Sequence, residues 1–507
     1  MMGQFVKYTC IIQIIFNFIL SQNYVPSNKF TIPKNRILRE IFYFSKNYEF
    51  ANPEFFRSKS KEKFNISLNF DYAFNSGHSN IDNTSNFFAA GKFNIMRSFR
   101  FEYSNTWLNL ELEPYTISRE DVFNGYSSHN SFMYLNNNTN PSFKYEANEL
   151  GLKNSRILLH HKGLGISYGK VNHWWGEGIH SSLSLTSNSP SQETYSVGTF
   201  KDIAIGNLKI YTNFILMPFK NYNREQIYYS GMRMKISIHS EPIISLGINR
   251  SYMSGDLLNL NNLSSLNNSW SAMDAFKLLF EPLFGQDKKN LEYVIPNTPG
   301  FDIWDEIISA NLKLIFPKDN VEFYLEFSSD DSRANITDLF AHWDHTLGYL
   351  IGFKKFFLSN RKTYLLGFEY LSTKPSNTFK DSFYRGDGNE INYFTRYSFN
   401  HFTYNGRFMG PHSGSSSDDL LFLLGFNNEK LTTIFYFNIE RHGLKSFDNP
   451  QYKRESYLLL NYHINKQNNF SVNFEFEKIE NFGFEKDHIS RSNLIWFGYS
   501  HYFNWQQ

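Results

Sequence analysis

Period-two alternation, sustained over runs of about ten residues, is the feature that most limits what this chain can fold into. In "KFNISLNFDY" (63–72), Phe64, Ile66, Leu68 and Phe70 share one face, and Asn65, Ser67, Asn69 and Asp71 share the other. "GMRMKISIH" (231–239) sets Met232, Met234, Ile236 and Ile238 against Arg233, Lys235, Ser237 and His239. "VEFYLEF" (321–327) and "FSVNFEFE" (470–477) repeat the pattern. Neighbouring side chains of a strand point to opposite faces, whereas a helix requires a repeat near 3.6. Similar runs recur along the chain, about sixteen to eighteen in all. Turn signals such as "NNNTNP", "YRGDGN", "FDNPQ" and "NKQNN" separate them.

Strands of this length with one apolar and one polar face are the units of a transmembrane β-barrel. A soluble β-sandwich uses shorter strands, about 5–6 residues, with fewer aromatics. Here aromatics make up 18% of 507 residues, with 53 Phe and 32 Tyr, while charged residues are only 19%. That composition excludes a disordered chain. A net charge of +2 supplies no basic field for nucleic acid. No segment offers ~20 consecutive apolar residues, which excludes a helical membrane protein; a closed barrel crosses a bilayer without one. The expected fold is all-β: a single large antiparallel transmembrane β-barrel of about 18 strands, of the outer-membrane type. "LIWFGYSHYFNW" (494–505) fits a closing strand, with Ile495, Phe497, Tyr499, Phe503 and Trp505 on one face.

Lys7 and the apolar run "CIIQIIFNFIL" (10–20) read as a signal peptide over 1–21, cleaved near Ser21. The one cysteine, Cys10, lies inside it, so the mature chain would have no disulfide, thiolate metal site or cysteine nucleophile. Residues 22–60, with Pro26, Pro33 and Pro53, form a periplasmic lead-in or plug segment. Residues 61–507 form the barrel, with a long loop at 254–305. Within that loop, "SAMDAFKLLFEPLFG" (271–285) carries a Ser271–Asp274 capping pattern and a Gly285 stop. A short helix is expected there, folded over the barrel mouth or into the lumen.

"NHWWGEGIHSSLSLTSNSP" (172–190) is the densest candidate for chemistry. If it is a strand, Trp174 and Trp175 face apart: one ring toward lipid, the other toward the lumen, where it can stack on a sugar. Gly176 and Gly178 permit close backbone approach. The spacing of His173, Glu177 and His180 specifies no coordination geometry, so no metal is assigned. Carboxylates pair in sequence at Glu322/Glu326, Asp330/Asp331 and Asp418/Asp419. Glycoside hydrolysis needs two carboxyls about 5–10 Å apart. Glu322 and Glu326 would lie about 13 Å apart along a strand, so they read as polar lumen lining. His78 and Ser79 are adjacent and would face apart, unlike a hydrolase pair. Arg407, in "NGRFMG", offers a guanidinium fork to an acidic sugar, or a lumen ion pair with Glu326 or Asp418.

The 172–190 segment resembles the Trp-Trp-Gly-x-Gly motif, followed by Ser-Leu-x-Leu-Ser-Asn and a proline, of the capsule assembly Wzi family. Further pieces resemble that family in order: "YYSGMRMKISI" (228–238), "EPIISLGINRSYM" (241–253), "VEFYLEFSSDD" (321–331) and "TYNGRFMGPHSGSSSDD" (403–419). Two features depart from it: Glu177 stands where the family often has proline, and residues 22–60 lack the clear amphipathic helices of the family's periplasmic bundle. The resemblance implies an outer-membrane barrel of a Gram-negative bacterium that helps attach capsular or related polysaccharide, without catalysis or cofactor. Polysaccharide contacts are then expected among Trp174, Trp175, Glu177, His180, Glu326, Asp330, Asp331, Arg407, Asp418 and Asp419. The expected partners are surface polysaccharide, outer-membrane lipid and the polysaccharide export machinery. The alternative is a porin or solute transporter.

Overall fold

The computed structural model describes residues 62–78, 82–87, 92–120, 147–220, 226–254, 304–330, 346–359, 361–374, 402–405, 407–445, 447–465 and 467–503, with positions 276, 279, 280, 282, 283 and 393. Alternation builds one sheet of twenty-one strand segments, each antiparallel to its neighbours. Three pairs of segments are collinear pieces of single strands: Leu108–Leu112 with Pro114–Arg119, Asn148–Leu152 with Ser155–His161, and Gln192–Thr199 with Ile203–Ile205. Joining them leaves 21 − 3 = 18 staves. The first, Glu62–Asn75, pairs with both Lys92–Asn105 and the last, Ile489–Phe503, which closes the barrel. Closure leaves no edge of unpaired backbone groups, which is what hydrocarbon demands of a spanning sheet.

The polar face turns in and the apolar face out. Ser67, Asn69 and Asp71 are buried, while Phe70 and Tyr72 are exposed. Glu322, Tyr324 and Glu326 are buried, while Phe323 and Phe327 are exposed. Ser471, Asn473 and Glu475 face inward, with Phe470 and Phe476 outward. Alternation therefore yields an apolar outer wall and a lumen lined by hydroxyl, amide and carboxylate groups. Connections at the end where Glu62–Asn75 begins and Ile489–Phe503 finishes are short; Lys162 and Gly163, both at positive φ, make a two-residue turn of the kind that suits strand twist. The long connections all lie at the opposite end, the extracellular one in this architecture.

Two expectations need revision. The first is the strand around the tandem tryptophans: Leu164–Val171 ends before them and the next strand begins at Gln192. Only an isolated bridge, Trp175 to Leu185, interrupts the irregular course between. The second is the loop helix. Its described positions 276, 279, 280, 282 and 283 are helical, and its caps fall outside the described residues. The Phe280 ring lies 4.9 Å from Phe214. Phe214 points away from the lumen, because the buried Ile215 beside it packs with Trp175 inside. The helix therefore lies on the outer wall, where Arg250 also donates to the Pro282 carbonyl (3.2 Å). Residues 1–61, including the signal-peptide and lead-in segments, lie outside the described residues.

Candidate functional site

Parts of three extracellular connections fold down into the lumen and interlock: residues 76–78 with 82–87, 172–191, and 402–405 with 407–417. The Thr186 N–H donates to the Met409 carbonyl (2.8 Å), and the Ser85 N–H to the Ser187 carbonyl (2.9 Å). Asn83 donates to the His180 carbonyl (2.8 Å), and Asn188 to the Phe408 carbonyl (3.0 Å). Arg407, fully buried, donates to Thr84 Oγ1 at 3.1 Å and to the Ser85 carbonyl.

Two glutamates on the wall fasten this plug. Glu326 accepts the Glu177 N–H at 2.6 Å and the Leu183 N–H at 2.9 Å. Glu369 accepts the N–H groups of Ile179 (2.7 Å), His180 (3.1 Å) and Ser181 (2.7 Å), and the Tyr324 hydroxyl (2.7 Å). Charge-assisted bonds contribute about 1.5–3 kcal/mol each, far more than neutral ones. A loop with no secondary structure must place its backbone donors somewhere when buried. Here the wall carboxylates take them. Gly176 is required by this approach: a Cβ there would land on Glu326 Oε1 and Ser182 Oγ. A Cβ on Gly178 would strike the Ser181 carbonyl.

Both tryptophans are buried, at 7% and 1% exposure, so neither serves a lipid girdle or an open lumen. Coil geometry frees adjacent side chains from the opposite-face rule of a strand. Trp174 Nε1 donates to the Gly178 carbonyl (3.1 Å), and Arg233 caps the Trp174 carbonyl (3.0 Å). Trp175 packs with Leu185, Ile215, Met217, Tyr229, Met253 and Met409. It fits against Gly231 of the wall, where a Cβ would meet the indole at 2.8 Å.

Glu177 pairs with Lys235 at 2.7 Å and Lys313 at 3.6 Å, both from the wall. Burial alone pushes its carboxyl up, but the Lys235 and Lys313 ammoniums and the Arg233 guanidinium outweigh that and hold it well below the usual carboxylate range. Arg407 was expected at a sugar or at Glu326 or Asp418; it is instead the strap to residues 84 and 85. Asp418 pairs with Arg441 (Nε, 2.8 Å) and Lys374 (3.7 Å) at the extracellular rim. Asp419 turns into the lumen beside His180 and His412, at 3.6 and 3.4 Å. His173 lies 3.3 Å from Thr194 Oγ1. Asp330 ends the Val321–Asp330 strand, and Asp331 lies outside the described residues. Glu322 binds Lys354 (2.8 Å) and Lys313 (3.1 Å) rather than pairing with Glu326. His78 bridges Ser490 (Nδ1, 2.8 Å) and Glu477 (Nε2, 2.6 Å). That is the reverse of the serine hydrolase arrangement, in which Nε2 faces the serine. It ties the first loop to the last hairpin; Ser79 lies outside the described residues.

Sequence reasoning missed Glu369, Tyr324, Asn83, His412 and Lys313. One signal was available. "TNFILMPF" (212–219) breaks alternation with apolar residues on both faces. Ile215 and Met217 face inward because the plug covers them.

The lumen is thus crossed by loops held to wall strands on many sides: Arg233 and Lys235, Lys313, Glu326, Glu369, and Lys453, which contacts Asp82 of the first loop. The fold and this site define a plugged β-barrel of the outer-membrane type. The capsule assembly protein Wzi family model matches residues 65–489, and the chain belongs to that family. Among solved structures, it is similar to Wzi of Escherichia coli, an outer-membrane protein involved in group 1 capsule assembly and described as a carbohydrate-binding β-barrel. Identity is 12%, coverage 87% of this chain and 85% of that one, and the TM-score 0.55, which establishes a shared fold. Weaker likenesses include OccAB3 of Acinetobacter baumannii (9% identity, 87% and 99% coverage, TM-score 0.42) and OpdQ of Pseudomonas aeruginosa (7%, 88% and 99%, 0.41), from which nothing further is drawn. No curated protein matches the chain by sequence.

Proposed function

We propose that this chain is a non-catalytic outer-membrane barrel that binds and organises capsular or related extracellular polysaccharide at the cell surface. The observation that carries the reading is the fastened plug. A lumen crossed by three interlocked loops, with their backbone donors bound by Glu326 and Glu369, suits a platform rather than a solute pore. Glu326 accepts two N–H groups of the plug and Glu369 accepts three, so both carboxylates serve to fasten the loop. Carbohydrate binding by the structurally similar Escherichia coli protein supports the same ligand class. The polymer would meet the extracellular rim, where partly exposed Arg441 and Lys374 flank Asp418 and can face acidic sugars. Export through a signal peptide cleaved near Ser21, contact with outer-membrane lipid along the apolar wall, and engagement of the polysaccharide export machinery complete the proposal.

Deleting the gene tests it: cell-associated polysaccharide falls and released polymer rises, and unchanged partitioning defeats the reading. Planar-bilayer recording tests the porin alternative. The plug predicts no steady conductance, and open-channel steps from the wild-type barrel would favour the pore.

A further inference from the structure

We propose that His180, His412, Asp419 and Glu440 form a site for one divalent transition-metal ion of the zinc class, which latches two plug loops to the barrel wall. His180 comes from the 172–191 loop and His412 from the 402–417 segment, while Asp419 and Glu440 pair directly across neighbouring wall strands. One ligand atom from each lies within 4.8 Å of all the others, and all four residues are buried. His412 Nε2 is 3.4 Å from Asp419 Oδ2 and 3.5 Å from Glu440 Oε1, and His180 Nε2 is 3.6 Å from Asp419 Oδ2. These separations exceed those of good N–H···O bonds, about 2.7–3.2 Å. They match the edge of a tetrahedron, about 3.4 Å when ligands sit about 2.1 Å from the ion.

A second observation is independent of that geometry. Asp419 is 2% exposed, and neither of its carboxylate oxygens accepts a hydrogen bond among the described residues. A buried carboxylate left so is costly unless a cation faces it. Charge balance points the same way. Lys453 is shared among Asp82, Glu440 and Glu455. Two carboxylates, two neutral imidazoles and a dication sum to zero. An outer partner is in place to orient one ligand: His442 Nε2 lies 2.7 Å from Glu440 Oε2. Asn438 Nδ2, 3.0 Å from His180 Nε2, would give way to the ion. Two nitrogens with two oxygens favour a zinc-class ion over calcium or magnesium, which prefer oxygen alone.

The test uses the full chain in detergent, without an affinity tag, its folding checked by heat-modifiable migration. After chelator treatment and addition of zinc chloride, bound metal is measured on desalted protein. One zinc per chain is expected, reduced about tenfold or more in Asp419→Asn and in His412→Gln. Zinc should also slow hydrogen exchange at His180–Leu183 in the wild type only. Cobalt(II) loading of the unmutated barrel should give the visible bands of a tetrahedral site, a readout independent of variant folding. Equal zinc in the wild type and Asp419→Asn, absence of zinc with unchanged exchange, or binding of calcium in preference to zinc would each overturn the proposal. In those cases protonated imidazoles supply the counter-charge to Asp419.

Discussion

Glu369→Gln isolates the fastening of the plug from its shape. The side chain keeps its size but loses its charge and one of its two acceptor oxygens. In the wild type one oxygen takes His180 N–H and Ser181 N–H, and the other takes Ile179 N–H and the Tyr324 hydroxyl. Glutamine can present its oxygen to the first pair. Its NH2 then faces the Ile179 N–H, donor against donor, while the Tyr324 hydroxyl rotates to accept. Of the three bonds to the plug, one charge-assisted bond is lost outright and the other two become neutral. At about 1.5–3 kcal/mol for the first and several tenths for each of the others, the plug is weakened by about 3 kcal/mol. Each 1.4 kcal/mol is about tenfold, so opening of the 176–183 segment should rise by about a hundredfold. Native-state hydrogen exchange reads this directly, since local opening sets the exchange rate of amides released without global unfolding. Exchange at Ile179, His180 and Ser181 should accelerate by that factor, with wall amides of Leu347–Ser359 unchanged as the internal reference. Rates at those three amides within about threefold of wild type would refute the clamp, because neutral bonds of ordinary strength would then account for the docking.

Three further outcomes follow from the same geometry. Gly176→Ala forces a methyl group onto Glu326 and Ser182, and should destabilise the plug by about 1–3 kcal/mol, seen as faster exchange at Glu177 and Leu183; unaltered exchange would mean the close approach is relaxed in solution. The Glu177 carboxyl is depressed in the folded state, so its contribution is fully present above the unfolded carboxylate pKa of about 4.3 and is lost as pH falls below it. Between about pH 5 and 3, wild-type thermal stability should therefore fall more steeply than that of Glu177→Gln, and parallel profiles would contradict the Lys235–Glu177–Lys313 account. Phe422 faces outward near the middle of Asp418–Asn427, so Phe422→Arg should cost roughly 2–4 kcal/mol in refolding titrations in lipid; a neutral result would remove this wall from the hydrocarbon.

The barrel was legible because alternation is a local property. Each strand declares its faces in its own ten residues, as 63–72 and 321–327 do, and closure follows once no edge can be left open. The plug was not legible, because its bonds join residues far apart in sequence. Nothing near Glu369 marks it as the acceptor of three amides at 179–181. Reading residues 172–175 as strand placed Trp174 and Trp175 on opposite faces; the coil there lets both rings turn inward. Arg407 and Glu326 stood out in the sequence as candidate sugar contacts. In the structure their partners are the protein's own loops: Thr84 and Ser85 for Arg407, the Glu177 and Leu183 amides for Glu326. The ordered motifs succeeded where single residues did not: Gly176, Gly178 and Gly231 record how closely loop and wall approach, a constraint written into several separated segments at once.

Equilibrium binding of the purified barrel to an array of acidic and neutral polysaccharides, with polymer length measured before and after, bears most directly on the central claim. The account predicts saturable binding to at least one surface polymer, weakened by substitution at Arg441 or Lys374, with chain length unchanged. Absence of binding to every polymer, or release of oligosaccharides, would contradict it.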